Sequence, residues 1–225
     1  MVWGMNIPNL LTLLRIFFVP LLVAVLVMGE VMVPVGRWRL TNDWLALAIF
    51  LAAAATDLLD GYLARRWGQI TTIGTLLDPI ADKLLISAAL ISLVQVNAVP
   101  AWMAILVIAR EFAVSGLRSI AAAEGYTIRA SDLGKTKMVF QVAGVSLLLL
   151  SIHRPALKPY AMVLMWGVVV FAMVSALAYF RKFWHKVDIE VKKRRRKELL
   201  QLDRRRKRAE RGHRVSGAAA FRERT

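Results

Sequence analysis

Asp57-Leu58-Leu59-Asp60-Gly61-Tyr62-Leu63-Ala64-Arg65 is followed, after eight residues, by Gly74-Thr75-Leu76-Leu77-Asp78-Pro79-Ile80-Ala81-Asp82. Four aspartates stand here in otherwise apolar sequence. On a helix, positions i, i+3, i+4 and i+7 share a face. Asp57, Asp60, Gly61 and Ala64 therefore form one stripe, and Gly74, Asp78 and Asp82 form a second. The connector over 66–73 is short, which predicts two antiparallel neighbouring helices with facing acidic stripes. Clustered carboxylates repel one another unless a positive charge lies between them. Donors that are oxygen only favour hard cations such as magnesium, manganese or calcium. Two such ions about 3.5–4 Å apart suit displacement at phosphorus. Gly61, Ala64 and Gly74 keep both stripes free of bulk, so a nucleotide can lie close to the helix backbones, with Arg65 at the helix end to meet a phosphate. In the competing structural reading, the aspartates cap helices or pair with Lys83, Arg65 and Arg66. That reading leaves the small residues without a role.

The surroundings of the stretch are those of a membrane protein. The 225 residues are 58% hydrophobic, against about 45–50% in soluble domains. A spanning helix needs about 20 mostly apolar residues. Six runs qualify: Leu10–Met28, Trp44–Ala64, Thr75–Val96, Pro100–Ala123, Thr136–Ile152 and Tyr160–Phe180. No basic segment precedes the first and no small-residue cleavage site follows it, so it is read as a span and not a leader. Aspartates in such segments are costly and point to function.

Charge sets the orientation. Arg65, Arg66, Arg118, Arg129, Lys135 and Lys137 fall on one set of ends, with the basic tail. Arg37, Arg39, Arg154 and Lys158 fall on the other. The richer set is predicted to be cytoplasmic, with both termini inside. Trp3, Trp44, Trp67, Trp102 and Trp184 fall near predicted span ends, as an interfacial belt does. From Arg181 onward there are 18 Lys and Arg against 6 Asp and Glu, a net +12 of the total +16. The chain is therefore divided into a six-helix membrane catalytic domain, 1–180, and a basic cytoplasmic tail, 181–225, partly helical or disordered. The absence of cysteine excludes disulfides and thiolate metal sites. His153, His185 and His213 are too dispersed for a metal set.

The pattern D-x-x-D-G-x-x-A-R, eight residues, G-x-x-x-D-x-x-x-D resembles that of the CDP-alcohol phosphatidyltransferases. Every signature position is matched, and the resemblance extends over about residues 6–180. It implies an all-α integral membrane fold of six transmembrane helices, usually a homodimer, and two divalent ions, Mg2+ or Mn2+, held by Asp57, Asp60, Asp78 and Asp82. It also implies that Asp82 is the general base and that Asp57, Gly61, Ala64, Arg65 and Gly74 contact the CDP moiety. The implied reaction is attack of an alcohol on the lipid-bearing phosphate of a CDP-lipid, with CMP leaving. Spacing alone does not say which aspartate is the base.

The acceptor is read from the fourth run, Ile108-Ala109-Arg110-Glu111-Phe112-Ala113-Val114-Ser115-Gly116-Leu117-Arg118. Arg110 and Arg118 lie eight apart on one face, and Gly134-Lys135-Thr136-Lys137 opens the next run. Charges in a span normally line cavities. Arg110, Arg118 and Lys135 are read as a pocket for a phosphate on the acceptor, with Thr12, Arg15 and Lys137 as further candidates. The alternative is that Arg110 and Glu111 neutralise one another. An acceptor bearing its own phosphate is glycerol 3-phosphate or inositol phosphate. The A-R-E-F-x-V-S-G-L-R string and Asn6-Ile7-Pro8-Asn9-Leu10-Leu11-Thr12-Leu13-Leu14-Arg15 are similar to bacterial phosphatidylglycerophosphate synthases. That likeness implies CDP-diacylglycerol and glycerol 3-phosphate as substrates and the bacterial cytoplasmic membrane as the location. Serine, inositol phosphate or phosphatidylglycerol as acceptor are rivals within the family.

The tail carries Lys192–Lys197 and Arg204–Arg208 as unbroken basic runs. Beside a cytoplasmic membrane face such clusters attract anionic lipid. No nucleic-acid partner is expected, since no aromatic or groove-reading motif accompanies them. From another class, a divalent-cation transporter would use the aspartates as an ion path, but it leaves Gly61, Ala64, Arg65 and Gly74 unexplained.

Overall fold

A computed structural model describes residues 7–28, 33–35, 38–67, 72–124 and 133–222. Six long helices dominate: α1 (Ile7–Val27), α2 (Asn42–Trp67), α3 (Thr72–Gln95), α4 (Ala101–Ala123), α5 (Leu133–Ser151) and α6 (Lys158–Arg222). Each corresponds to one apolar run of the sequence. A single 3₁₀ turn, Pro155–Leu157, precedes α6. One element was not anticipated. A two-stranded antiparallel ribbon, β1 (Val33–Val35) and β2 (Trp38–Leu40), pairs Val33 with Leu40 and Val35 with Trp38.

Among the described residues, two stretches are long and apolar enough to cross a membrane, Leu10–Val27 and Pro155–Ile189, and Met138–Ser151 is a shorter apolar helix. The chain divides into two compact units, 1–177 and 178–225. Through the second unit the structure is helical as far as Arg222.

In the first unit α1 packs on α2 and α3, α3 packs on α4, and α5 packs on α2 and α3. Leu22, Phe50, Leu90, Leu93, Val107, Leu148 and Leu149 are fully buried in the common core. Ala46, Ala53, Ala81 and Ala89 are buried with them. Small side chains let helix backbones approach closely. Gly144 shows the same device between α5 and α6: a Cβ there would lie 3.3 Å from Val168 Cγ2.

The end remote from the aspartates is tied by polar contacts. Asn42 Nδ2 donates to the Val25 carbonyl at 3.1 Å, joining the start of α2 to the end of α1. Thr41 Oγ1 donates to buried Asp43, and His153 Nδ1 lies 3.3 Å from Asp43 Oδ1. The Arg154 guanidinium sits 4.7 Å over the Trp44 ring, a cation–π contact. Helix α3 ends in a Schellman motif. The Ala98 amide donates to Leu93 at 2.9 Å and the Asn97 amide to Val94 at 3.0 Å. Asn97 takes φ +55, a left-handed conformation that asparagine tolerates better than most residues. Pro100 then precedes α4, which packs on α3.

Candidate active site

The signature aspartates occupy the last turns of α2 and the first turns of α3. Residues 68–71, between these two helices, lie outside the described residues. Helix α1 packs against both, so its first half lies beside the aspartate-bearing ends. Asp57 on α2 and Asp82 on α3 are each partly buried. The side chains of Asp60, Gly61, Ala64, Arg65, Gly74 and Asp78 lie outside the described residues, as do those of Lys135 and Lys137. Among the described residues no three acidic or histidine side chains converge as a metal group.

An ion pair at this end joins α1 to α2. Arg15 Nη1 lies 2.8 Å from Asp57 Oδ1, with the Arg15 side chain 0% exposed and that of Asp57 22% exposed. Thr12, one turn before Arg15, is also buried. Sequence reasoning offered Arg65, Arg66 and Lys83 as structural partners for the aspartates and placed Arg15 among the acceptor contacts. No spacing signal connects residues 42 positions apart on different helices.

Arg110 on α4 is buried. Its Nη1 donates to Glu111 Oε1 at 3.1 Å, and its Nη2 donates to Ser175 Oγ on α6 at 2.7 Å. The neutralising partnership of Arg110 and Glu111 is thus present in the structure. Ser175 was missed, because one serine in an apolar run carries no signal. Arg110 Nε and Gln141 Nε2 are buried donors that find no acceptor among the described residues. Such groups call for an explanation in a buried setting. Arg118, exposed near the end of α4, interacts electrostatically with Arg110 and with Lys83 of α3, and Lys83 interacts with Asp82. Lys83 of α3 and Arg118 of α4 therefore stand on the Asp82 side of the motif. Lys83 was available to sequence reasoning only as a partner for the aspartates.

The model of the family described as CDP-alcohol phosphatidyltransferase matches residues 5–174. The chain belongs to that family. Among the family's curated members, the CDP-diacylglycerol–glycerol-3-phosphate 3-phosphatidyltransferase of Bacillus subtilis is 42% identical over 193 residues, covering 80% of this chain and 95% of the relative. A protein of the same name from Rickettsia bellii is 32% identical, covering 78% of this chain and 94% of the relative. A probable phosphatidylglycerophosphate synthase of Mycobacterium tuberculosis is 36% identical, covering 77% and 79%. The fold is similar to that of the M. tuberculosis phosphatidylinositol phosphate synthase, solved with CDP-DAG bound, with a TM-score of 0.58 at 18% identity, covering 80% of this chain and 87% of that one.

Proposed function

We propose that the chain is a membrane enzyme that transfers the phosphatidyl group of CDP-diacylglycerol to sn-glycerol 3-phosphate, giving phosphatidylglycerophosphate and CMP. The observation that carries this reading is the 42% identity to the Bacillus transferase across 95% of that protein's length. The matched family region contains the whole aspartate motif and Arg110 and Arg118.

All six helices are read as spans of the bacterial cytoplasmic membrane. Leu10, Phe17, Ile91, Ile105, Val163 and Val170 are exposed apolar side chains distributed over α1, α3, α4 and α6, which suits lipid contact. The Lys/Arg bias puts both termini and the aspartate end on the cytoplasmic side. Residues 1–180 form the catalytic domain, taken as one half of a homodimer. The basic segment 181–225 lies on anionic lipid.

The donor set at the aspartate end fits hard divalent cations: carboxylate oxygens, no thiolate in the chain, and a partly exposed Asp57 beside a buried arginine. Asp57, Asp60, Asp78 and Asp82 would hold two ions, Mg2+ or Mn2+, which when bound offset negative charge on the pyrophosphate. Asp57, Gly61, Ala64, Arg65 and Gly74 receive the CDP moiety. Arg110, Arg118 and Lys135 hold the phosphate of the acceptor, with Thr12, Lys137 and, from the sequence alone, Arg15 as further candidates. The buried Arg110 Nε and Gln141 Nε2 donors support a polar ligand in this region. Asp82 accepts the proton of the acceptor hydroxyl. The acceptor's hydroxyl oxygen bonds to the lipid-bearing phosphorus, the bond from that phosphorus to the CMP oxygen breaks, and CMP departs with the electron pair.

The test is purified full-length protein with CDP-diacylglycerol and a panel of acceptors, scored by CMP release. Glycerol 3-phosphate should be used far better than serine, inositol phosphate or phosphatidylglycerol. Preference for any of those three would overturn the acceptor assignment while leaving the family intact.

A further inference from the structure

Arg15 lies in the third turn of α1, between Leu14 and Ile16, in the stretch Leu10–Val27 that is apolar enough to cross a membrane. A guanidinium does not shed its charge at any ordinary pH. One that is fully buried must be compensated by a fixed countercharge. Here that countercharge is Asp57, at 2.8 Å. The pairing is costly unless it does more than join two helices, since apolar residues of similar volume pack α1 on α2 as well.

We infer that Arg15 is a positioning residue for Asp57, holding one carboxylate oxygen so that the side chain presents itself to the divalent cation in a single orientation. This rests on the reading of Asp57 as a metal ligand. A carboxylate has two oxygens, and Arg15 Nη1 pairs by charge with Oδ1 at 2.8 Å without an aligned hydrogen bond. The Asp57 side chain keeps 22% exposure, against none for Arg15, so it remains accessible to a cation while the arginine is sealed. A planar guanidinium restrains a carboxylate more tightly than a flexible ammonium does. The fixed charge also reduces repulsion within the aspartate cluster, so the ligands can assemble before a cation arrives. The same burial separates Arg15 from the acceptor pocket: a side chain sealed from solvent is not presented to a water-soluble phosphate.

The test uses full-length protein in detergent, with Mn2+ binding followed by the electron paramagnetic resonance of free Mn2+ in the absence of both substrates. Arg15→Lys keeps the charge and protects folding, and Arg15→Gln keeps a hydrogen-bond donor without the charge. Mn2+ affinity should fall about 10–100-fold, as when an outer partner of a metal ligand is removed, with Lys the milder change. Unchanged or tighter Mn2+ binding in folded variants that show only a lower melting temperature would overturn the inference and leave a helix-pairing role. A raised KM for glycerol 3-phosphate with unaltered Mn2+ binding would overturn it in favour of acceptor contact. Wild-type protein that binds no Mn2+ would remove the metal reading itself, and this inference with it.

Discussion

Arg110→Lys separates charge from geometry at the proposed acceptor pocket. In the structure the guanidinium is held from two directions, by Glu111 at 3.1 Å on Nη1 and by Ser175 at 2.7 Å on Nη2. An ammonium is a single point donor and cannot span both partners while facing a third. The acceptor therefore loses about one charge-assisted hydrogen bond, worth roughly 1.5–3 kcal/mol. At 1.36 kcal/mol per factor of ten, that is roughly 10- to 10²-fold in kcat/KM for glycerol 3-phosphate. The assay varies each substrate in turn, at saturating concentration of the other. The KM for CDP-diacylglycerol should be nearly unchanged. Ser175→Ala frees Nη2 without touching the charge and should give a smaller loss of the same kind, restored by Ser175→Thr. Equal damage to both substrates' kcat/KM, or a drop in melting temperature with intact kinetics, would refute the pocket and leave Arg110 as a buried charge neutralised by Glu111.

Asp82→Asn keeps shape but removes the carboxylate base; single-turnover rate should fall at least about 10²-fold with CDP-lipid binding largely retained, whereas a near wild-type rate at saturating metal would exclude Asp82 as base. Excess chelator should abolish turnover, and Mg2+ or Mn2+ should restore it, because the motif supplies only oxygen ligands; undiminished turnover would exclude the metal role. Asn97→Val places a β-branched residue at φ +55 and should cost roughly 1–2 kcal/mol of stability, while Asn97→Gly should cost little or nothing; both are read by thermal unfolding in detergent.

Much of the fold is legible in the sequence because two strong signals coincide. Long apolar runs demand helices, and the connectors place most helix starts within a few residues of the observed bounds, as at Pro100 before α4, whereas α6 continues past its apolar run to Arg222. The aspartate motif is legible because its chemistry is local: four carboxylates and three small residues at helical spacing within 26 positions. What the sequence conceals is contact across helices. Arg15 and Ser175 stand in apolar runs with nothing local to show that one meets Asp57 and the other Arg110. The ribbon at 33–40 is equally hidden, since strands of three residues are too short to set up a readable alternation. Asp43 and His153 come together only because the start of α2 and the end of α5 share one end of the first unit.

The central claim is the identity of the lipid product. Purified protein supplied with CDP-diacylglycerol and deuterium-labelled glycerol 3-phosphate should release CMP and form one labelled lipid, whose mass is that of phosphatidylglycerophosphate with the acceptor's phosphate and all its deuterium retained. Phosphatidic acid without label, or CMP release that does not require glycerol 3-phosphate, would contradict the account.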